Sequence, residues 1–301
     1  PERPGMPPLM FRLHSGNNMF SLFWANMEYV NYSRLLCLQA RYPDHECTLT
    51  QGRHDLFEIS LDANIPDDKI HEFVFSSRTL RSGRLAARFE SGCIRLSWDE
   101  QEITAYMHVY TSLLIEHLWN DSQSLQWRSI VLIEDGIRFT GESRRFPFSQ
   151  EWELRKTDAG IHLCVWLIVS ENMLVQECHA SISLPSVYNH WANDTEEADF
   201  PPYQPDKTNW QHCNMSYVPS TFLAASGPDM PMVTLKADAE CPQVRMTPIN
   251  TSQQENARVL QALRVDEAHQ IHFTPGRHLY FSGSINVGGN ELIQDIVEQQ
   301  P

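Results

Sequence analysis

Several marks of catalysis are missing from this sequence. Its 301 residues contain no Cys-x-x-Cys and no Gly-x-Ser-x-Gly, and the glycine turn Asn286-Val-Gly-Gly-Asn290 has no lysine beside it. These absences exclude in turn a paired-cysteine metal knuckle, the nucleophile elbow of an α/β-hydrolase, and a phosphate-cradling loop. Positive charge is also scarce. Lys and Arg number 23 against 38 Asp and Glu, for a net charge of -15, and the longest basic clusters are the pairs Arg144-Arg145 and Arg155-Lys156. A nucleic-acid backbone or an anionic lipid surface would be repelled, so neither is an expected partner. No signal peptide and no apolar run of eighteen residues is present; the chain starts at Pro1, which reads as a processed or trimmed form whose compartment stays unknown.

Cysteine is too sparse for a disulfide scaffold. Seven are scattered (Cys37, Cys47, Cys93, Cys164, Cys178, Cys213, Cys241), and the odd count leaves at least one free thiol. Sequons point the other way: Asn31, Asn120, Asn193, Asn214 and Asn250 each precede x-Ser or x-Thr, as in a secreted glycoprotein.

What the sequence does have is β patterning. From Trp127 to Leu184, runs rich in Val, Ile, Trp and Phe alternate with short polar breaks such as Asp135-Gly136 and Asp158-Ala159-Gly160, the pattern of an antiparallel meander. Ile161 to Val169 is apolar at every odd position and at several even ones, so it is expected to be a central strand covered on both faces. Leu174 to Leu184 alternates, with Glu177, His179, Ser181 and Ser183 on one side, and reads as its half-buried neighbour. Leu85 to Trp98 reads as a hairpin closed through Glu90-Ser91-Gly92. Asp99 to Leu118 fits a helix or two strands equally well, and Ser252 to Arg264 fits a capped helix.

The fold class predicted is mainly β, an antiparallel β-sandwich or meander assembly with a few helices. Three segments are expected: a β-rich domain over 1–188, an acidic proline-rich linker over 189–210, and a smaller β-rich domain with one helix over 211–301. Asp158-Ala-Gly-Ile-His-Leu-Cys164 resembles the late strands of an immunoglobulin-like domain, with His162 at the tyrosine position. Gly141 to Ser149 resembles the glycine-led Phe-Pro-Phe-Ser entry of arrestin-like sandwiches. Each covers at most a fifth of the chain.

Two sets of residues stand out as candidate sites. His162 and Cys164, two apart on one strand face, with His179 on the supposed next strand, form a candidate metal or acid-base site, to which His269 and His272 or His212 and Cys213 could add ligands. Trp191, Phe200, Tyr203 and Trp210 lie in the polar linker, where no periodic core claims them, and suit contact with a protein or carbohydrate partner. No nucleophile, catalytic residue or cofactor is assigned. The function expected is a non-catalytic binding or interaction module built on β-sandwich domains. The alternatives are an enzyme working near His162, Cys164 and His179, and an intracellular scaffold or adaptor.

Overall fold

The computed structural model describes residues 10–14, 19–23, 48–51, 56–60, 79–133, 135–203, 210–213, 220–242, 244–252, 256–264 and 270–289. Its strands in chain order are β1 (Met10–His14), β2 (Met19–Phe23), β3 (Thr48–Gln51), β4 (Leu56–Ser60), β5 (Thr79–Ser82), β6 (Leu85–Glu90), β7 (Cys93–Trp98) and β8 (Gln101–Glu102). Next come β9 (Val109–Ile115), β10 (Leu118–Asp121), β11 (Gln126–Ile133), β12 (Gly136–Glu142), β13 (Phe148–Lys156), β14 (Gly160–Val169), β15 (Met173–Val175) and β16 (Glu177–Leu184). The last are β17 (His190–Asn193), β18 (Glu197–Asp199), β19 (Trp210–His212), β20 (Phe222–Gly227), β21 (Met230–Ala237), β22 (Arg245–Thr251), β23 (Ala257–Arg264), β24 (Ile271–Phe273) and β25 (Gly276–Gly288).

Two large antiparallel sheets make the body. One has ten strands, in the order β19-β22-β23-β16-β9-β7-β6-β5 with β10 on β9 and β8 on β7; the other has nine, β11-β12-β13-β14-β25-β21-β20-β17-β18. They pack face to face, because alternate residues of both enter one apolar cluster: Phe89, Leu113, Ile182 and Leu260 from the first meet Phe139, Trp152, Leu163 and Phe281 from the second. Aromatic rings bridge the layers, with Phe89 stacked 3.9 Å from Phe139 and set edge-on 4.9 Å from Trp127. The β1 to β4 segments form a separate four-stranded sheet.

The predicted β-sandwich is therefore present, and the predicted hairpin is β6-β7. Ser91 and Gly92 close it at φ of 47° and 84°, the left-handed pair that a two-residue turn requires. Gly92 is needed for space as well: a Cβ there would lie 2.2 Å from the Ser122 carbonyl oxygen, which also accepts the Trp127 indole N–H at 2.9 Å.

Some expectations are corrected. Among the described residues there is no α-helix, only a 3-10 turn at Ser122–Ser124. The predicted helix over Ser252 to Arg264 contains strand β23, buried on both faces, which hides the period of two that would have marked it. The 99–118 stretch takes the two-strand alternative. The meander β11 to β14 is real, but its next neighbour is β25 and not β16, which crosses through β15 into the other sheet. Strand β14 is central, yet its outward residues His162, Cys164, Trp166 and Ile168 are only half-buried. Residues 158–164 turn from β13 directly into its hydrogen-bonded partner β14, whereas the immunoglobulin resemblance implies a crossing between sheets. The stretch expected as a linker over 189–210 contains β17 and β18 at the edge of the nine-stranded sheet, and both sheets draw strands from either side of it.

Candidate functional site

The outward face of the ten-stranded sheet carries the densest chemistry. Strand register explains why. On β16, Cys178, Ala180, Ile182 and Leu184 enter the core, so Glu177, His179, Ser181 and Ser183 face outward. Pairing with β9, β23 and β22 extends this face into two cross-strand rows. Asp121 lies opposite Ser112, which lies opposite His179; in the second row Tyr110, Ser181, Gln261 and Thr247 stand opposite one another in succession. Trp119 at one margin and Trp210 with His212 at the other complete a cleft of about 360 Å³, within the usual size of a small-molecule site. The rim residue Tyr106 holds φ at 57°, a conformation that bulky residues rarely adopt and that clusters at functional sites.

This face is polar but largely shut off from solvent. His179 is 6% exposed and Ser181 1%. Burial alone lowers the His179 pKa to about 3, so the ring is neutral at any ordinary pH. Its Nδ1 pairs with Ser181 Oγ at 2.9 Å, Trp119 lies 5.3 Å away in a tilted stack, and Tyr110 stands edge-on at 5.7 Å. Asp121 behaves in the opposite sense: burial raises its pKa, against a hydrogen bond donated by Ser112 Oγ to Oδ1. His212, more exposed at the rim, is lowered first by the surrounding protein and then by Arg245. From the core side, Tyr280 of the opposite sheet donates to the carbonyls of Ser112 at 2.8 Å and His179 at 2.9 Å, fixing the floor. Three buried hydroxyls on this face, Tyr110 Oη, Ser183 Oγ and Thr247 Oγ1, make no hydrogen bond of ordinary geometry. An unpaired buried hydroxyl costs on the order of 1–3 kcal/mol, which a polar ligand would relieve.

Linkage gives the first prediction. In the unfolded chain His179 takes up a proton below about pH 6.5, but in the fold it stays neutral down to about 3. Between those values the unfolded state binds the extra proton, so stability falls as pH is lowered through this window. Urea unfolding at pH 7.5 and 5.0 should show wild type losing up to about 2 kcal/mol more than His179→Gln over that step. Equal losses would mean that the ring is not held neutral.

The structure separates the residues singled out from sequence. His162 and Cys164 project from β14 on the outer face of the nine-stranded sheet, whereas His179 projects from the outer face of the opposite one. The sandwich core, about 10 Å thick, stands between them. Among the described residues no group of three His, Cys, Asp or Glu is arranged to hold a metal ion. His162 Nε2 instead meets Asp238 Oδ2 at 2.7 Å, and Ser282 Oγ donates to that same oxygen at 2.5 Å. Ser282 Oγ also lies 3.4 Å from His162 Nε2, so the three side chains make one small polar cluster centred on the carboxylate. Burial pushes the Cys164 thiol up to about 11, and thus away from thiolate chemistry.

Of the aromatic set, Trp191 on β17 is buried in the core, and so is Phe200, which lies 5.0 Å beneath the Arg258 guanidinium. Tyr203 donates to the Asn256 carbonyl at 2.7 Å and carries Arg258 over its ring. Trp210 alone of the four lines the cleft, together with His179 from the first set and His212. Asp121, Tyr110 and Trp119 escaped sequence reading, since only register brings them beside β16. Glu177 and Ser181 were legible as a polar stripe but read as a solvent face. One sequon is incompatible with a glycan in this fold: Asn250 is buried, with Nδ2 donating to the Pro201 carbonyl at 2.7 Å.

No protein-family model matches the chain, and no curated protein matches it at a significant level. Solved β-sandwich structures are similar to it. A putative aldose 1-epimerase from Escherichia coli K12 is 10% identical, with 70% of this chain and 98% of that one covered at a TM-score of 0.45. A galactose mutarotase-like protein from Lactobacillus casei is 9% identical over 69% and 99%, at 0.43. A GH36 alpha-galactosidase from Geobacillus stearothermophilus is 9% identical over 70% and 39%, at 0.45. The packing corrects the expectation of a non-catalytic module gripping its partner through linker aromatics. Trp191 and Phe200 are wall material, shut inside the core. Among the described residues no helix is long and apolar enough to cross a membrane.

Proposed function

We propose that the chain is an enzyme performing proton-transfer chemistry on a carbohydrate in the outer cleft of the ten-stranded sheet. One observation carries this: Asp121, Glu177, His179 and His212 converge on a single cleft whose margins are indole and phenol rings. Aromatic plates over polar floors suit sugars, which present apolar C–H faces and hydroxyl edges. The acid-base groups are differentiated by environment, as such chemistry requires. Half-buried Asp121, with its pKa raised, holds a proton further up the pH scale than a free carboxyl does and is the donor. Half-buried Glu177 is the acceptor, and neutral His179 positions the substrate through the ring nitrogen not bound to Ser181.

At an anomeric centre the balance is simple. The acceptor takes the proton of the C1 hydroxyl as the donor protonates the ring oxygen, the ring C–O bond breaks, and reclosure on the other face returns both protons. The test is polarimetry of freshly dissolved α-D-galactose and α-D-glucose, with hydrolysis of neutral glycosides followed in parallel. Optical rotation should relax faster in proportion to added protein, or glycosides should be cleaved. Neither change, at protein concentrations comparable to substrate, would overturn the proposal.

A further inference from the structure

We infer that the cleft takes an extended, uncharged glycan, at least a disaccharide, laid across the strands between Trp119 and Trp210; this rests on the carbohydrate reading and adds the length and charge of its substrate. The two indoles belong to β10 and β19, which are separated in the sheet by β9, β16, β23 and β22. The five steps span on the order of 24 Å at about 4.8 Å each; the Trp119 ring already reaches His179 on β16, 5.3 Å away, which leaves three steps, on the order of 14 Å, to β19. A single pyranose ring cannot touch both ends. Trp119 is 49% exposed although it lies against His179, so one face of a large apolar ring is left for a ligand.

Between the indoles runs the polar row Tyr110, Ser181, Gln261 and Thr247, one side chain per strand. At the two ends of that row Thr247 keeps a buried hydroxyl without a partner, and the Tyr110 hydroxyl reaches only Ser181, with no hydrogen bond of ordinary geometry. Hydroxyls with bonding capacity to spare three strands apart, about 14 Å, suit more than one sugar unit. Charge narrows the class. The described lining includes Asp121 and Glu177 but no Lys or Arg, and both of its histidines have lowered pKa values. A phosphorylated sugar or a uronate would therefore meet repulsion at the Asp121 and Glu177 end, the cation felt at the cleft being Arg245 beside His212 at the far rim.

Titration calorimetry on the full chain decides this, using galactose and glucose against lactose, maltose and maltotriose, with glucose 6-phosphate as the charged probe. The di- or trisaccharide should bind at least about tenfold more tightly than its monosaccharide, and the phosphate should bind worst. Trp119→Ala and Trp210→Ala should each erase that ratio. Trp119→Phe, which keeps an aromatic plate, should restore most of it and so separates lost stacking from a damaged fold. Equal affinity for mono- and disaccharides, with both tryptophan variants weakening them alike, would overturn the inference and leave the acid-base reading standing. Tightest binding of the phosphate would overturn it too, and no binding of any sugar would overturn both.

Discussion

Replacing Asp121 by asparagine is expected to lower turnover by about 10²- to 10⁴-fold, the range general acid catalysis supplies, while the protein remains folded. The side chain is half-buried at the end of β10 opposite Ser112 of β9, where partial burial favours its protonated form and Ser112 holds one oxygen in place. Asparagine keeps the shape and the acceptor oxygen for Ser112 but has no proton to give. A carboxyl whose pKa is raised by its surroundings lowers stability whenever it ionises, so the neutral amide should leave the melting temperature unchanged or higher. Loss of activity with retained stability is thus the signature. The check is kcat of Asp121→Asn from the polarimetric assay beside its thermal melt. Unchanged kcat would remove Asp121 from the donor role.

The second large effect falls on the core. Trp152 is fully buried, donates its indole N–H to Gln150 Oε1 at 2.9 Å, and packs edge-on against Trp127 and Phe89. The same Gln150 oxygen accepts from Thr111 Oγ1 at 2.8 Å, so one polar link ties β13 to β9 across the sandwich. Truncating Trp152 to alanine opens a large cavity and frees half of that link, and should cost about 3–5 kcal/mol, read from urea midpoints at constant slope. That is a large fraction of the stability of an ordinary domain. A loss under about 1 kcal/mol would mean that the two sheets do not share this core.

The β character was legible because alternation survives wherever one face of a strand is wet or polar. Strands β6 and β7, and β11 to β14, lie where the residue pattern puts them. Failures cluster where both faces are buried or where a turn uses unusual residues. Strand β23 is buried at all but its last residue, so Ala257, Val259, Leu260 and Leu263 fit a helical wheel as well as a strand. Glu116 and His117 close the β9-β10 hairpin with φ of 52° and 62°, though neither is Gly or Asn, and nothing local announced the turn.

The cleft was half legible. The stripe Glu177, His179, Ser181 and Ser183 was visible as a period of two, but a polar stripe reads as solvent-facing until its burial is known. That β16 pairs with β9 and β23, and not with β14, decides everything else about the site. Such non-local pairing leaves no trace in a single sequence.

A crystal structure of the protein soaked with maltotriose or lactose tests the central claim most directly. The account predicts sugar rings stacked on Trp119 and hydrogen-bonded to Tyr110 and Gln261, with an anomeric carbon within reach of Asp121 and Glu177. Sugar density on the opposite sheet, over His162, Cys164 and Asp238, with the outer cleft of the ten-stranded sheet unoccupied, would contradict it.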